Sequence, residues 1–155
     1  MHYPPVTEPS DPLGRRLALL GKVLRERFSG MLATHDCTVG TWAVLRGAHL
    51  YPGLSQAQLA GHLGIEGPTL TRQLDRLCAE GLVLRQRDDR DRRVIRVHLT
   101  DVGEKRWTEL ADVADELEAR LTRHLTKSQI AALNTAIVKL RRVLEESDAP
   151  FDSNR

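Results

Sequence analysis

Leu82-Val83-Leu84-Arg85-Gln86-Arg87-Asp88-Asp89-Arg90-Asp91-Arg92-Arg93-Val94-Ile95-Arg96-Val97-His98-Leu99 is the stretch that decides the fold. Two short apolar segments bracket a loop in which arginine and aspartate alternate. Apolar runs around a polar loop predict a β-hairpin. The hairpin tip is therefore studded with cations. A narrow, strongly negative cavity suits such a tip, and the minor groove of DNA is one. Taken alone, a charged run is as often a solvated turn. The residues just before it shift the balance.

Ser55 to Gly81 predicts a helix-turn-helix. Ser55-Gln56-Ala57-Gln58 has the form of a capping box and opens a short helix through His62. Gly64 supplies a turn at positive φ. Pro68 stands at the start of a second helix that runs to about Glu80, and Gly81 ends it. Leu59, Ala60, Leu63, Ile65, Leu70, Leu74 and Leu77 fall where two such helices would pack. Thr69, Arg72, Gln73 and Arg76 fall on the other face, with side chains suited to base edges or phosphates in a major groove. A helix-turn-helix followed at once by an arginine-tipped hairpin predicts a winged helix.

Helices flank this centre. Asp11-Pro12 predicts a helix start, with Asp11 as N-cap and Pro12 at the first helical position. Leu13, Leu17, Leu20, Leu24, Phe28 and Met31 then form one stripe. Val39 to His49 is a second helix. Thr100 caps a long helix carrying Leu110, Val113, Leu117 and Leu121. Thr126-Lys127-Ser128-Gln129 is another capping box, opening a helix with Ile130, Leu133, Ile137, Leu140 and Leu144 on one side. The expected fold is mainly α with a small β-hairpin: a winged helix-turn-helix flanked by long dimerisation helices. The expected organisation is a flexible arm at 1–10, N-terminal dimerisation and support helices at 11–50, the DNA-binding domain at 53–100, C-terminal dimerisation helices at 101–147 and a flexible tail at 148–155.

Composition agrees. With 155 residues the chain suits one domain plus extra helices. Aromatics make up only 4%, so Leu, Val, Ile and Ala must pack the core. Residues 53–100 hold eight Lys or Arg against six Asp or Glu, while the rest of the chain holds fifteen of each. The net charge of +2 thus lies wholly in the middle third. That is the local basic patch phosphate contact requires. No apolar run approaches the roughly 20 residues needed to span a membrane. Met1-His2-Tyr3-Pro4-Pro5 lacks the features of a signal peptide, so a cytoplasmic location without membrane partners is expected. Cys37 and Cys78 make no framework, and the six histidines show no metal-ligand spacing. No glycine-rich phosphate loop or nucleophile elbow marks an enzyme. No metal or cofactor is expected.

The chain resembles the MarR family of bacterial transcription regulators. The resemblance rests on Leu59-Ala60, Leu63-Gly64-Ile65, Thr69 to Leu77, Glu80-Gly81-Leu82-Val83, the wing signature Asp88-Asp89-Arg90-Asp91-Arg92-Arg93 and the closing strand Val97-His98-Leu99-Thr100. It covers the chain from about Asp11 to Leu144. Pro12-Leu13-Gly14, Thr41-Trp42 and Ile65-Glu66-Gly67-Pro68 further resemble the SlyA-like branch. Two positions depart from the family habit: Asp89, where Pro is frequent, and Cys78, where Glu is.

The resemblance implies a homodimer whose first and last two helices interlock, acting on double-stranded DNA at an inverted-repeat operator, most often as a repressor. Carried over by residue, Pro68, Thr69, Thr71, Arg72 and Arg76 belong to the major-groove helix, and Ser55 joins the DNA-facing set. Arg93 is the minor-groove residue, with Asp91 holding its guanidinium. Arg90 and Arg92 hold phosphates or share the insertion. Many relatives respond to small phenolic or carboxylic compounds. Lys22, Arg25, Trp42 and Arg46 fall on the helices that would line such a site for an aromatic acid or phenolic ligand, though each taken singly reads first as structure, Trp42 as core and the cations as surface groups. Two alternatives stay open. One is redox sensing through Cys37, whose surroundings hold no evident positive cluster. The other is a winged-helix module that binds protein without DNA specificity.

Overall fold

A computed structural model describes residues 11–146, in the order α1 (Leu13–Ala33), α2 (Val39–Leu50), α3 (Gln56–Leu63), α4 (Gly67–Ala79), β1 (Val83–Arg87), β2 (Ile95–Leu99), α5 (Asp101–Thr122) and α6 (Lys127–Glu146). The expected arm at 1–10 and tail at 148–155 lie outside the described residues. The chain divides into two compact units between Ala114 and Asp115. The mainly helical architecture with one antiparallel hairpin is a winged helix.

The helix boundaries follow local chemistry. The Ser55 hydroxyl accepts from the Gln58 backbone N–H at 3.1 Å, while the Gln58 side chain accepts from Ser55 N–H at 3.0 Å. Both halves of the capping box are therefore made. A cap of this kind stabilises by about 1 kcal/mol. Gly64 ends α3 in the left-handed region at φ 62°, where a side chain would be strained. Thr126 and Gln129 make the second reciprocal box, at 2.8 and 3.3 Å. The Thr100 hydroxyl accepts from Gly103 N–H at 3.0 Å and so caps α5. One boundary differs from expectation. Pro12 itself is the N-cap of α1, with no side-chain bond, and Asp11 instead pairs with Arg15 one turn on at 2.5 Å. An i,i+4 ion pair competes with capping for the same carboxylate.

The core of the first unit is aliphatic. Leu32, Val44, Leu45, Leu59, Leu70, Leu74 and Leu77 are fully buried, joined by Val83 and Val97 from the hairpin and Leu110 and Val113 from α5. Leu63 and Ile65 pack at its edge. β1 and β2 pair in register from Val83 opposite Leu99 to Arg87 opposite Ile95. The segment before α3 adds a short third rung: Gly53 N–H donates to Val97 O and Val97 N–H to Leu54 O, at 3.1 and 3.0 Å. The wing is thereby sewn to the head of α3. Gly103 lets α5 approach β1 closely, since a Cβ there would lie 2.0 Å from the Leu82 carbonyl oxygen.

Not all apolar surface is used. Leu13, Leu17, Leu20 and Leu24 on α1 are exposed, by 37–56%. Within the second unit, Leu133, Ile137, Val138, Val143 and Leu144 of α6 are 49–74% exposed, and α6 buries no residue.

Candidate nucleic-acid interface

α3 and α4 meet at the tight turn Gly64-Ile65-Glu66, and the three leucines of α4 that face inward fix its rotation. That leaves Pro68, Thr69 and Arg72 exposed at its N-terminal half. The Thr71 hydroxyl donates to Gly67 O at 3.0 Å and accepts from the Gln56 side-chain amide at 2.6 Å. Thr71 therefore ties the two helices together. The outward face is narrower than helical periodicity implied. Gln73 is half-buried against α2, where the missing side chain of Gly40 makes room for its amide. Arg76 donates to the hydroxyl of Thr41 on α2 and lies 3.5 Å from Glu80.

The wing loop runs from Asp88 to Val94, closed by Asp88 N–H donating to Val94 O at 2.9 Å. Its aspartates hold the main chain. One Asp88 oxygen accepts from Arg90 N–H at 2.9 Å and Asp91 N–H at 3.0 Å. Asp91 accepts from Arg93 N–H at 3.0 Å, and its carbonyl accepts from Val94 N–H at 2.9 Å. The expected role for Asp91, holding the Arg93 guanidinium, is thus replaced: the carboxylate binds the Arg93 backbone. Carboxylates that accept from nearby N–H groups build tight turns by themselves. Arg90, Arg92 and Arg93 all remain exposed. The Asp91 N–H first, then the Arg96 side chain, then the Arg90 N–H hold the Asp88 carboxyl below its ordinary value. Arg96, on β2, was missed. Its position outside the alternating run hid it.

A cleft of about 360 Å³ brings the parts together, lined by Ser55 and Gln56 at the head of α3, Gly67 at the head of α4, and Arg93 and Ile95 of the wing. Two helix N-termini and an arginine face one groove, an arrangement that suits an anionic backbone. Gln56 is the residue here that sequence reasoning read only as part of a cap.

The residues proposed for a ligand divide. Trp42 is half-buried, edge-on to Phe28 with ring centroids 4.8 Å apart and 6.2 Å from Trp107. The Arg46 guanidinium sits 5.7 Å from the centre of the Trp42 ring. The indole Nε1 is buried with no hydrogen-bond partner among the described residues. Lys22 is exposed and lies 4.0 Å from Glu26; Arg25 is exposed on the same helix. Cys37 is buried, its thiol donating to Thr38 O at 3.3 Å. Burial pushes its pKa up, and the charge of Arg106 offsets that only in part. The thiolate needed for peroxide chemistry is disfavoured there. Among the described residues, no helix is long and apolar enough to cross a membrane.

Residues 37–95 match the model of the MarR family. The match ends at Ile95 and so takes in the helix-turn-helix and the wing tip. Solved structures extend the likeness to most of the chain. The transcriptional repressor CouR, bound to a 23-mer DNA duplex, is 29% identical over 90% of this chain and 99% of its own, with a TM-score of 0.79. A MarR variant from E. coli complexed with operator DNA is 27% identical over 83% of this chain and 93% of its own, at 0.76. The S. aureus MepR–DNA complex, 23% identical over 86% of this chain and 99% of its own, shares the fold at 0.78.

Proposed function

We propose that this chain is a MarR-family transcription regulator that binds an operator in double-stranded DNA as a homodimer and represses. The observation that carries the reading is the joint surface at the cleft: Ser55, Gly67 and Arg93 line one groove, with Thr69 and Arg72 exposed beside it and Arg90 and Arg92 at the tip. In the reading, α4 enters the major groove through Pro68, Thr69 and Arg72, and Arg93 enters the adjacent minor groove. Thr71 and Arg76 act one step back, by holding α4 to α3 and α2. The reading makes 53–100 the DNA-binding domain and 11–50 and 101–147 its dimerisation and support helices. The exposed leucines of α1 and the apolar side of α6 support the dimer, because apolar faces of this extent mark contact surfaces and a second copy would cover them. A two-fold axis then implies an inverted repeat with half-sites about one helical turn apart. The SlyA-like placement rests on Pro12-Leu13-Gly14, Thr41-Trp42 and Ile65 to Pro68.

A gel shift against the DNA upstream of the chain's own coding region tests the binding, with sedimentation for the dimer. A discrete complex and a dimer at micromolar concentration are expected. A stable monomer, or retardation that unrelated duplex competes away equally, contradicts the proposal.

A second element is release by an aromatic carboxylate or phenol. The unpartnered indole Nε1 of Trp42 beneath Arg46 favours it. Titrating salicylate into a Trp107→Phe variant should quench Trp42 and free bound DNA together. No quenching at millimolar ligand leaves Trp42 and Arg46, with Lys22 and Arg25, as structure.

A further inference from the structure

We infer that Arg96 is the positioning residue that sets the wing tip at a fixed distance from the major-groove helix. The inference rests on the DNA-binding reading and deepens it. Arg96 links the wing loop to the segment that leads into α3. Its backbone bridges Ser55, the N-cap of α3. Its Nη1 donates to the Gly53 carbonyl at 2.8 Å, and its Nε donates to the free oxygen of Asp88. The other Asp88 oxygen already holds Arg90 and Asp91, and Asp91 holds Arg93. An unbroken series of bonds therefore runs from the helix-turn-helix to the tip arginines. The Asp88 side chain is only 12% exposed, so this pair is better shielded than a surface ion pair. Without the brace, the backbone bonds at Val97 still hold the base of the hairpin, but no side chain among the described residues ties Asp88 and the tip beyond it to that base. The tip must then be ordered at the moment of binding.

The guanidinium fork matters as much as the charge. One nitrogen serves Asp88 and another serves Gly53, so a lysine ammonium reaches one partner at a time. Arg96 itself is 42% exposed at the side chain, and a plain phosphate contact is the rival role.

The test uses the full chain and a duplex that the wild type selects from a random pool. Arg96→Met should lower affinity for that duplex about tenfold, the scale of losing one well-placed contact. Hydroxyl-radical footprints should lose the flanking minor-groove protection, while methylation protection of the central major groove stays. Asp88→Asn keeps an acceptor oxygen for the tip N–H groups but ends the ion pair, and should reproduce the same footprint. The double variant should be no worse than either single one, because both act through one bond. Arg96→Lys should fall between wild type and Arg96→Met. Full additivity, uniform loss of all protections, or wild-type binding by Arg96→Lys assigns Arg96 to a phosphate and overturns the brace. One measurement needs no DNA: ¹⁵N relaxation of the Arg90 to Val94 amides should fall from about 0.85 to below about 0.6 in order parameter in Arg96→Met. Unchanged order there refutes the brace by itself. Failure of the wild type to select any duplex instead refutes the DNA reading.

Discussion

The helix-turn-helix and the wing lie side by side and are built on opposite principles. Leu59, Leu70, Leu74 and Leu77 hold α3 and α4 together at 0% exposure, so that half is a piece of core with a polar rim. The wing tip has almost no core. Carboxylate-to-backbone bonds shape it, through Asp88 and Asp91, and Arg96 ties it down. Packing energy fixes α4. Electrostatics and hydrogen bonds fix the loop that carries the cations. A core position, Val83 and Val97 of the hairpin included, can thus be altered only at the expense of folding, whereas a position at the wing tip can be altered with the fold intact.

The largest effect expected on this contrast is at Leu74. Leu74→Ala should destabilise by about 2–5 kcal/mol, the usual range for a buried leucine. Urea unfolding measures it, and a loss under 1 kcal/mol would show that α4 is not held by its core side. Gly103→Ala comes next, because its Cβ would meet the Leu82 carbonyl, which is main chain and cannot rotate away. A cost of about 1–3 kcal/mol is expected from such overpacking. A neutral Gly103→Ala would show that α5 can draw back from β1 freely. At the wing the expected effect on folding is small. Arg93→Ala should leave the urea midpoint unchanged while operator affinity falls by about 1–3 kcal/mol. A shifted midpoint would break the comparison.

The smallest effect is a pH effect local to the tip. Asp88 is held below its ordinary value of 3.8 by the Asp91 N–H and Arg96. A depressed carboxylate contributes its full stabilisation above that ordinary value and loses it as pH falls through the lower folded one. The amide shifts of Arg90 and Asp91 should therefore stay native as pH falls to 3.8 and change only below. A transition centred at or above 3.8 would mean that the carboxylate does not hold the turn.

Most of the frame was legible because its signals are local. Capping boxes at Ser55 and Thr126, the left-handed Gly64 and the alternation around the hairpin each act within a few residues, and each appears where expected. The unread parts depend on distant partners. Gln73 and Arg76 carry the chemistry of base-reading residues, but Gly40 makes room for one and Thr41 offers a hydroxyl to the other. Asp91 binds the backbone N–H of Arg93 and not its guanidinium, and spacing alone does not separate the two. Arg96 looked like any polar residue on a strand, and only the return of Gly53 to that strand gives it a task. For the same reason Gly103 carried no visible signal in sequence.

The central claim is that α4 and the wing together hold duplex DNA. The most direct measurement is operator affinity against salt concentration. If Arg72, Arg90 and Arg92 of each protomer take one phosphate apiece, log affinity should fall linearly with log salt with a slope of about −5. A slope near zero, with binding otherwise intact, would contradict the account.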